Sequence, residues 1–69
     1  MVTIYSHFED AQGEPIYSVT DEFSTLEKAQ TYFDSVVRYA STFEVLEHTD
    51  TKIRYTKPGR GETSVQIGR

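Results

Sequence analysis

One segment of this 69-residue chain carries the apolar spacing of an amphipathic helix. Its apolar residues recur at steps of three and four, and polar residues occupy the positions between them. Just ahead of the stripe, Ser24 and Glu27 have the spacing of a capping box, in which each side chain bonds the backbone amide of the other residue. The pattern predicts a helix over about residues 25–40, roughly four turns long. The stripe consists of Leu26, Ala29, Phe33, Val36, Val37 and Ala40.

Elsewhere in the chain, apolar residues alternate with polar ones, which is the period of a strand with one buried face. This alternation occurs twice before the helix and three times after it, so the predicted element order is β-β-α-β-β-β. A four-turn helix cannot bury its stripe alone. We therefore predict an α+β fold, with the single amphipathic helix packed on one face of a single antiparallel sheet of about five strands. We expect residues 1–69 to form a single domain.

Turn signals separate the predicted strands. Residues 9–15 divide the first two strands, and Thr49-Asp50 divides the third from the fourth. Pro58-Gly59 has the residues that suit the centre of a type II turn before the last strand. With this phase, the inward side chains of helix and strands form the expected core. That core consists of Ile4, Phe8, Val19, Leu26, Ala29, Phe33, Val36, Val37, Phe43, Val45, Ile53, Tyr55, Val65 and Ile67.

Composition limits where and how such a domain functions. The chain has no cysteine, which excludes disulfides and thiolate metal sites. No apolar run is longer than two residues, and the first residues lack the basic and apolar regions of a secretion signal. We expect a cytoplasmic protein with no membrane partner.

The charges are sorted along the chain. Residues 1–50 contain ten acids and two bases, whereas residues 51–69 contain five bases and one acid. The net charge of −4 therefore combines an acidic body with a basic final hairpin. Such asymmetry bears on partners and on the rate of encounter. The carboxylates also leave open the mimicry of DNA toward a basic groove.

The basic hairpin is the candidate binding site. Lys52 and Arg54 alternate with inward residues, so their side chains are predicted on the face of the sheet away from the helix, with the turn extending the patch. The candidate binding residues are Lys52, Arg54, Lys57 and Arg60. Three interpretations remain open: a surface for a charged protein partner, a small nucleic-acid-binding module that uses the basic sheet face, or solvated charges that blunt the sheet against aggregation. The acidic body weighs against direct nucleic-acid binding.

Sites for chemistry are scarce. His7 and His48 are both predicted on the helix-free face, where parallel neighbouring strands could bring them together as metal ligands beside a carboxylate. Two solvated surface histidines are the simpler interpretation. The chain has no nucleophile elbow and no glycine loop ahead of a helix. We therefore expect no catalytic residues, no cofactor, no bound metal and no enzymatic activity.

The element order, the small size and the isolated capped helix resemble small anti-CRISPR proteins of phages, in particular a type I-F inhibitor. At residue level the resemblance is carried by Ser24-x-Leu26-x-x-Ala29, which opens the helix. It implies a non-enzymatic inhibitor that docks on a larger host nucleoprotein complex, a CRISPR-Cas surveillance complex, and blocks its guide-directed DNA binding in the host cytoplasm. It further implies that basic residues on the sheet side make the contact, which here are Lys52, Arg54, Lys57 and Arg60. The acidic body departs from that family's pattern.

Overall fold

Five strands and one helix follow one another in the predicted order in a computed structural model, which describes residues 1–68. Arg69, which was counted in the basic final hairpin, lies outside the described residues. The elements are β1 (Val2–Glu9), β2 (Pro15–Phe23), α1 (Leu26–Ala40), β3 (Glu44–His48), β4 (Lys52–Thr56) and β5 (Glu62–Gly68). The predicted α+β fold, a single antiparallel five-stranded sheet with one helix, is confirmed.

The strands lie side by side in the order β2-β1-β5-β4-β3, and all neighbours are antiparallel. The last strand of the chain therefore inserts between β1 and β4, at the centre of the sheet. This position leaves β2 at one edge and β3 at the other. Because β5 and β4 separate them, β1 and β3 are not neighbours.

The helix begins one residue later than the capping-box prediction placed it. Thr25, which is extended with φ −139° and ψ 157°, is the N-cap residue, and its side chain accepts a hydrogen bond from the Lys28 amide at 3.2 Å. The prediction that Ser24 caps the helix with Glu27 is therefore wrong, because the third residue after the actual cap is a lysine. Within the described part of the chain, no helix has the length and apolar character needed to cross a membrane.

The core lies between α1 and the middle of the sheet. Its buried residues are Val2, Ile4, Ala29, Phe33, Ala40, Ile53, Tyr55, Val65 and Ile67, with Phe23, Val36, Val37 and Phe43 packed against them. Phe33, Ile4 and Ile53 are the largest fully buried side chains. Ten of the fourteen predicted core residues belong to this set, and Phe8 is half-buried.

Three predicted core residues are wrong, because Val19, Leu26 and Val45 are between 38% and 41% exposed. A sheet of five strands is about 19 Å wide between its outer strands, whereas one helix covers about 10 Å. The single helix therefore leaves part of the inward faces of the edge strands uncovered, and Val19 and Val45 lie in these uncovered parts. Leu26 is exposed in the first turn of α1.

A β-bulge in β3 changes which face its last residues occupy. Val45 lies opposite Tyr55, but the register then shifts, so that Glu47 lies opposite Arg54 and His48 opposite Ile53. The extra residue is Leu46, and it reverses the alternation beyond it. Glu47 is thereby placed on the helix-free face and His48 on the helix side.

Candidate binding surface

The face of the sheet away from α1, called here the open face, carries Lys52 and Arg54 as predicted. Arg54 lies between two carboxylates, and Lys52 lies beside one of them. Arg54 donates from Nε to Glu47 Oε1 at 2.8 Å and from Nη1 to Glu62 Oε2 at 3.0 Å. Lys52 Nζ lies 4.0 Å from the same Glu47 oxygen. Hydrogen bonding and the charge of Glu62, followed by the same effects of Glu47, raise the pKa of Arg54 above its usual value.

Within residues 1–68, the open face has no excess of positive charge. The register assigns two bases to it, against at least four acids. The bases are Lys52 and Arg54, and the acids are Glu22, Glu44, Glu47 and Glu62. The carboxylates that accept hydrogen bonds from Arg54 offset its positive charge, so Arg54 attracts an external phosphate only weakly. The sheet face is therefore poorly suited to hold a polyanion.

Lys57 does not join the other two bases. It continues the alternation of Ile53 and Tyr55 and so lies on the helix side, where Nζ is 4.9 Å from the centroid of the Tyr39 ring and 5.6 Å from that of Phe43. These distances are those of cation–π contacts. The prediction that Lys57 extends a patch on the helix-free face is wrong, although strand alternation in the sequence contained the signal that places it.

Arg60 lies at the tip of the β4–β5 turn, where it is exposed. The turn closes with a hydrogen bond from the Arg60 amide to the Lys57 carbonyl at 3.0 Å, and Gly59 has φ +72°, as the type II prediction requires. Gly61 allows this turn to pack against the first hairpin, because a Cβ at this position would collide with the carbonyls of Glu9 and Asp10. The four candidate residues thus fall on the open face, the helix side and the tip.

On the helix side, aromatic rings line a depression between α1 and the inner strands, and the ring of Tyr17 on the edge strand β2 adjoins it by stacking on Phe8. We define this aromatic groove by Phe8, Tyr17, Tyr32 and Tyr39, with Lys57 at its end. Three of its rings are well exposed: Tyr17 is 54% exposed, Tyr39 51% and Tyr32 39%. Phe8 and Tyr17 stack with centroids 4.6 Å apart.

The groove continues into a cavity of about 280 Å³ between the first hairpin and the β4–β5 turn. The two depressions share Phe8, Lys57 and Thr63. Ile16 and Tyr17 line the outer side of the cavity, and Arg60 lines its tip. This surface offers apolar rings with two cations at one end. Sequence reasoning missed it, because it assigned the inward faces of all five strands to the core.

A serine, a histidine and a carboxylate meet on the open face. His7 Nδ1 lies 3.1 Å from Ser18 Oγ, and His7 Nε2 lies 3.5 Å from Glu9 Oε2. Sequence spacing did not indicate this set, because register across the first hairpin brings it together. The face here is a flat sheet, whose amides alternate between neighbouring strands and do not converge on a point above it. The set therefore lacks the convergent donors that an oxyanion requires.

The two histidines do not meet. His7 lies on the open face of β1, whereas the bulge places His48 on the helix side of β3, beside Asp34 and Asp50. The predicted placement of His48 on the helix-free face is wrong, and the strand order excludes a shared site. Among residues 1–68, no group of three or more histidine, cysteine or acidic side chains is arranged to hold a metal ion.

No protein-family model, no curated protein and no solved structure matches this chain significantly.

Proposed function

We propose that this protein is a non-catalytic binding protein that acts by occupying the surface of a larger partner protein. The observation that carries the proposal is the aromatic groove. Tyrosine is enriched at protein interfaces because its ring buries a large apolar area while its hydroxyl bonds at the rim. Here Tyr32 and Tyr39 line one depression and Tyr17 lines the adjoining one, and Lys57 lines both.

The resemblance to anti-CRISPR proteins supplies the finer form of the proposal. In that form the partner is a host nucleoprotein complex of the CRISPR-Cas type, and the protein is a phage or mobile-element inhibitor that acts in the host cytoplasm. The contact is made by the aromatic groove with Lys57 and Arg60, rather than by four bases on the sheet. On the open face, Arg54 bridges Glu47 and Glu62 across three strands, and Lys52 lies beside Glu47.

The rival function, a nucleic-acid-binding module that uses the basic sheet face, has less support. Its two open-face bases are paired with carboxylates, and the acids on that face outnumber them. A protein partner with its own apolar and acidic groups fits the groove and its two cations better.

Affinity capture from host lysate, followed by mass spectrometry, tests the proposal. The bait is compared with the variant Tyr17→Ser/Tyr39→Ser, which removes two exposed rings of the groove. The matched control is Tyr5→Ser, because Tyr5 lies on the open face and is 52% exposed. We expect one large partner to be captured by the wild type and by the control, and to be lost with the groove variant.

Binding to labelled single- and double-stranded DNA and RNA distinguishes the rival. We expect no retention of free nucleic acid at physiological salt. Retention that falls steeply with salt, and that the variant Lys52→Ala/Arg54→Ala abolishes, would contradict the proposal in favour of the sheet face. If the Tyr17→Ser/Tyr39→Ser variant still captures the partner, the aromatic groove is not the binding surface, and that part of the proposal is wrong.

A further inference from the structure

The outer edge of β2 is a long run of unpaired backbone. Within residues 1–68, β2 pairs only with β1 and spans nine residues, Pro15–Phe23. In an antiparallel pair, every second residue directs both its amide and its carbonyl away from the partner strand. Alternate residues of β2 therefore present hydrogen-bonding groups to the outside, ready for a further strand.

The opposite edge strand, β3, is protected against pairing with a further strand. The edge strand β2 lacks this protection. β3 has only five residues and is interrupted by the bulge at Leu46. Short length and bulges are ways in which proteins prevent edge pairing. By contrast, the register of β2 with β1 runs without a break from Phe23 to Tyr17. Its sequence contains no lysine, and Ile16, Tyr17 and Val19 are exposed along it.

Charge indicates what can pair there. Residues 1–27 contain six acids and no lysine or arginine. Asp21 and Glu22 lie on β2 itself, and Glu14 precedes it. A second copy of this chain would bring a segment of the same net negative charge toward this one, and the repulsion between the two disfavours that pairing. A basic strand would instead gain pairing with these carboxylates.

We propose that β2 accepts an extended, basic segment of the partner protein as a sixth strand of the sheet. This inference rests on the proposed function, because it names the chemistry of the segment that the partner contributes. Backbone hydrogen bonds to the free edge hold the segment, and its lysines or arginines lie beside Glu22 on the open face. The segment's helix-side residues pack beside Tyr17 and Val19, and so extend the contact onto the aromatic groove.

The probe is a ten-residue peptide in which lysine and valine alternate, added to the isotope-labelled protein. Amide exchange measured by NMR has a specific signature for strand addition. Between Ile16 and Glu22, we expect every second amide to gain protection while the intervening ones, already bonded to β1, change little. Two N-methylated peptides, modified at odd or at even positions, are the backbone controls. One series should abolish binding and the other should keep it.

A matched pair of protein variants tests the charge requirement. Glu22→Lys and Glu44→Lys each reverse one exposed glutamate on the open face of an edge strand, the first on β2 and the second on β3. We expect Glu22→Lys to weaken peptide binding by about three- to tenfold. Glu44→Lys should change it by less than about twofold. A peptide with glutamate in place of lysine should not bind.

Other outcomes overturn the inference. One is protection of β2 amides in the free protein together with a dimer in sedimentation, since β2 would then pair with itself. Another is peptide binding that both N-methylated series retain, or no peptide binding at all. These readouts do not depend on a host partner. Capture of a partner that the groove variant loses, combined with failure of the peptide, would leave the proposed function standing and remove only the strand addition.

Discussion

The ring of Tyr17 stacks on the ring of Phe8 across the first hairpin, with centroids 4.6 Å apart and planes inclined by 20°. The two residues are direct partners in the β1–β2 register. Phe8 is half-buried, and Tyr17 covers it from the uncovered edge strand. The stack therefore holds an exposed ring of the aromatic groove in a fixed position, which limits the side-chain entropy lost when a partner binds.

Removing this stack should cost stability as well as binding. For Tyr17→Ala we expect the free energy of unfolding to fall by about 1–2 kcal/mol, since an aromatic pair contributes about 0.5–1.5 kcal/mol beyond its buried area. Ile16→Ala is the control, because Ile16 has similar exposure on the same strand, at 58%, and lines the same cavity, but has no ring to stack on Phe8. Urea denaturation measures both variants. An equal loss in the two would contradict a specific role for the stack.

Phe33 is the centre of the core, and only 1% of it is exposed. Phe33→Ala should lower the free energy of unfolding by about 3–5 kcal/mol, which is enough to unfold much of so small a domain. Its neighbour in the chain, Tyr32, lies in the groove and is 39% exposed, so Tyr32→Ala should cost clearly less. Circular dichroism of the two variants across a urea series is the measurement.

The N-cap assignment separates two adjacent hydroxyl side chains. Thr25→Ala removes the acceptor for the Lys28 amide and should cost about 1 kcal/mol. The capping-box interpretation instead predicts that loss at Ser24. We expect Ser24→Ala to stay within about 0.5 kcal/mol of the wild type. If thermal unfolding gives the reverse order, the helix begins one residue earlier in solution.

Local sequence patterns were sufficient for the order and type of all six elements. The stripe from Leu26 to Ala40 and the period-two segments each depend on neighbours within a few residues, so they can be recognised from the sequence alone. The width of the sheet relative to one helix is not local. That is why Val19 and Val45 were assigned to the core and are exposed instead.

The candidate site was less predictable, because one β-bulge determines which face of the sheet two of its residues occupy. An extra residue at Leu46 turns Glu47 toward Arg54 and moves His48 to the helix side. Pairing between β3 and β4 determines that bulge, and no turn or glycine signal marks it in the sequence. The position of Lys57, by contrast, was predictable. Strand alternation continued from Tyr55 places it on the helix side, and the wrong prediction arose because Lys57 was treated as a turn residue.

Arg54 is expected to stabilise the sheet rather than to bind a polyanion. Arg54→Glu would leave three carboxylates together, with Glu47 opposite the new acid and Glu62 diagonal to it. We expect the urea midpoint of unfolding to fall, and the loss to shrink as salt is added, because the repulsion is screened. Arg60→Glu makes the same change of charge at the exposed turn and should stay within about 0.5 kcal/mol of the wild type. Equal effects of the two reversals would mean that the ion pairs contribute nothing.

The pKa of Tyr55 makes the stability of the fold depend on pH in alkaline solution. Burial is the main cause that raises this pKa above its ordinary value of 10.0, and the charge of Lys57 opposes it in part. The folded protein therefore keeps the phenol proton at a pH at which the unfolded chain has begun to lose it. The contribution of the protonated Tyr55 to the free energy of unfolding is therefore complete below about pH 10, and it is lost as the pH rises through the folded-state pKa.

Tyr55→Phe removes the titrating group, so we expect its free energy of unfolding to decline less between pH 9 and 11 than that of the wild type. Tyr5→Phe, at an exposed position, is the control and should keep the wild-type decline. Urea denaturation at each pH gives the comparison, and parallel curves for Tyr55→Phe and the wild type would show that another group causes the alkaline loss.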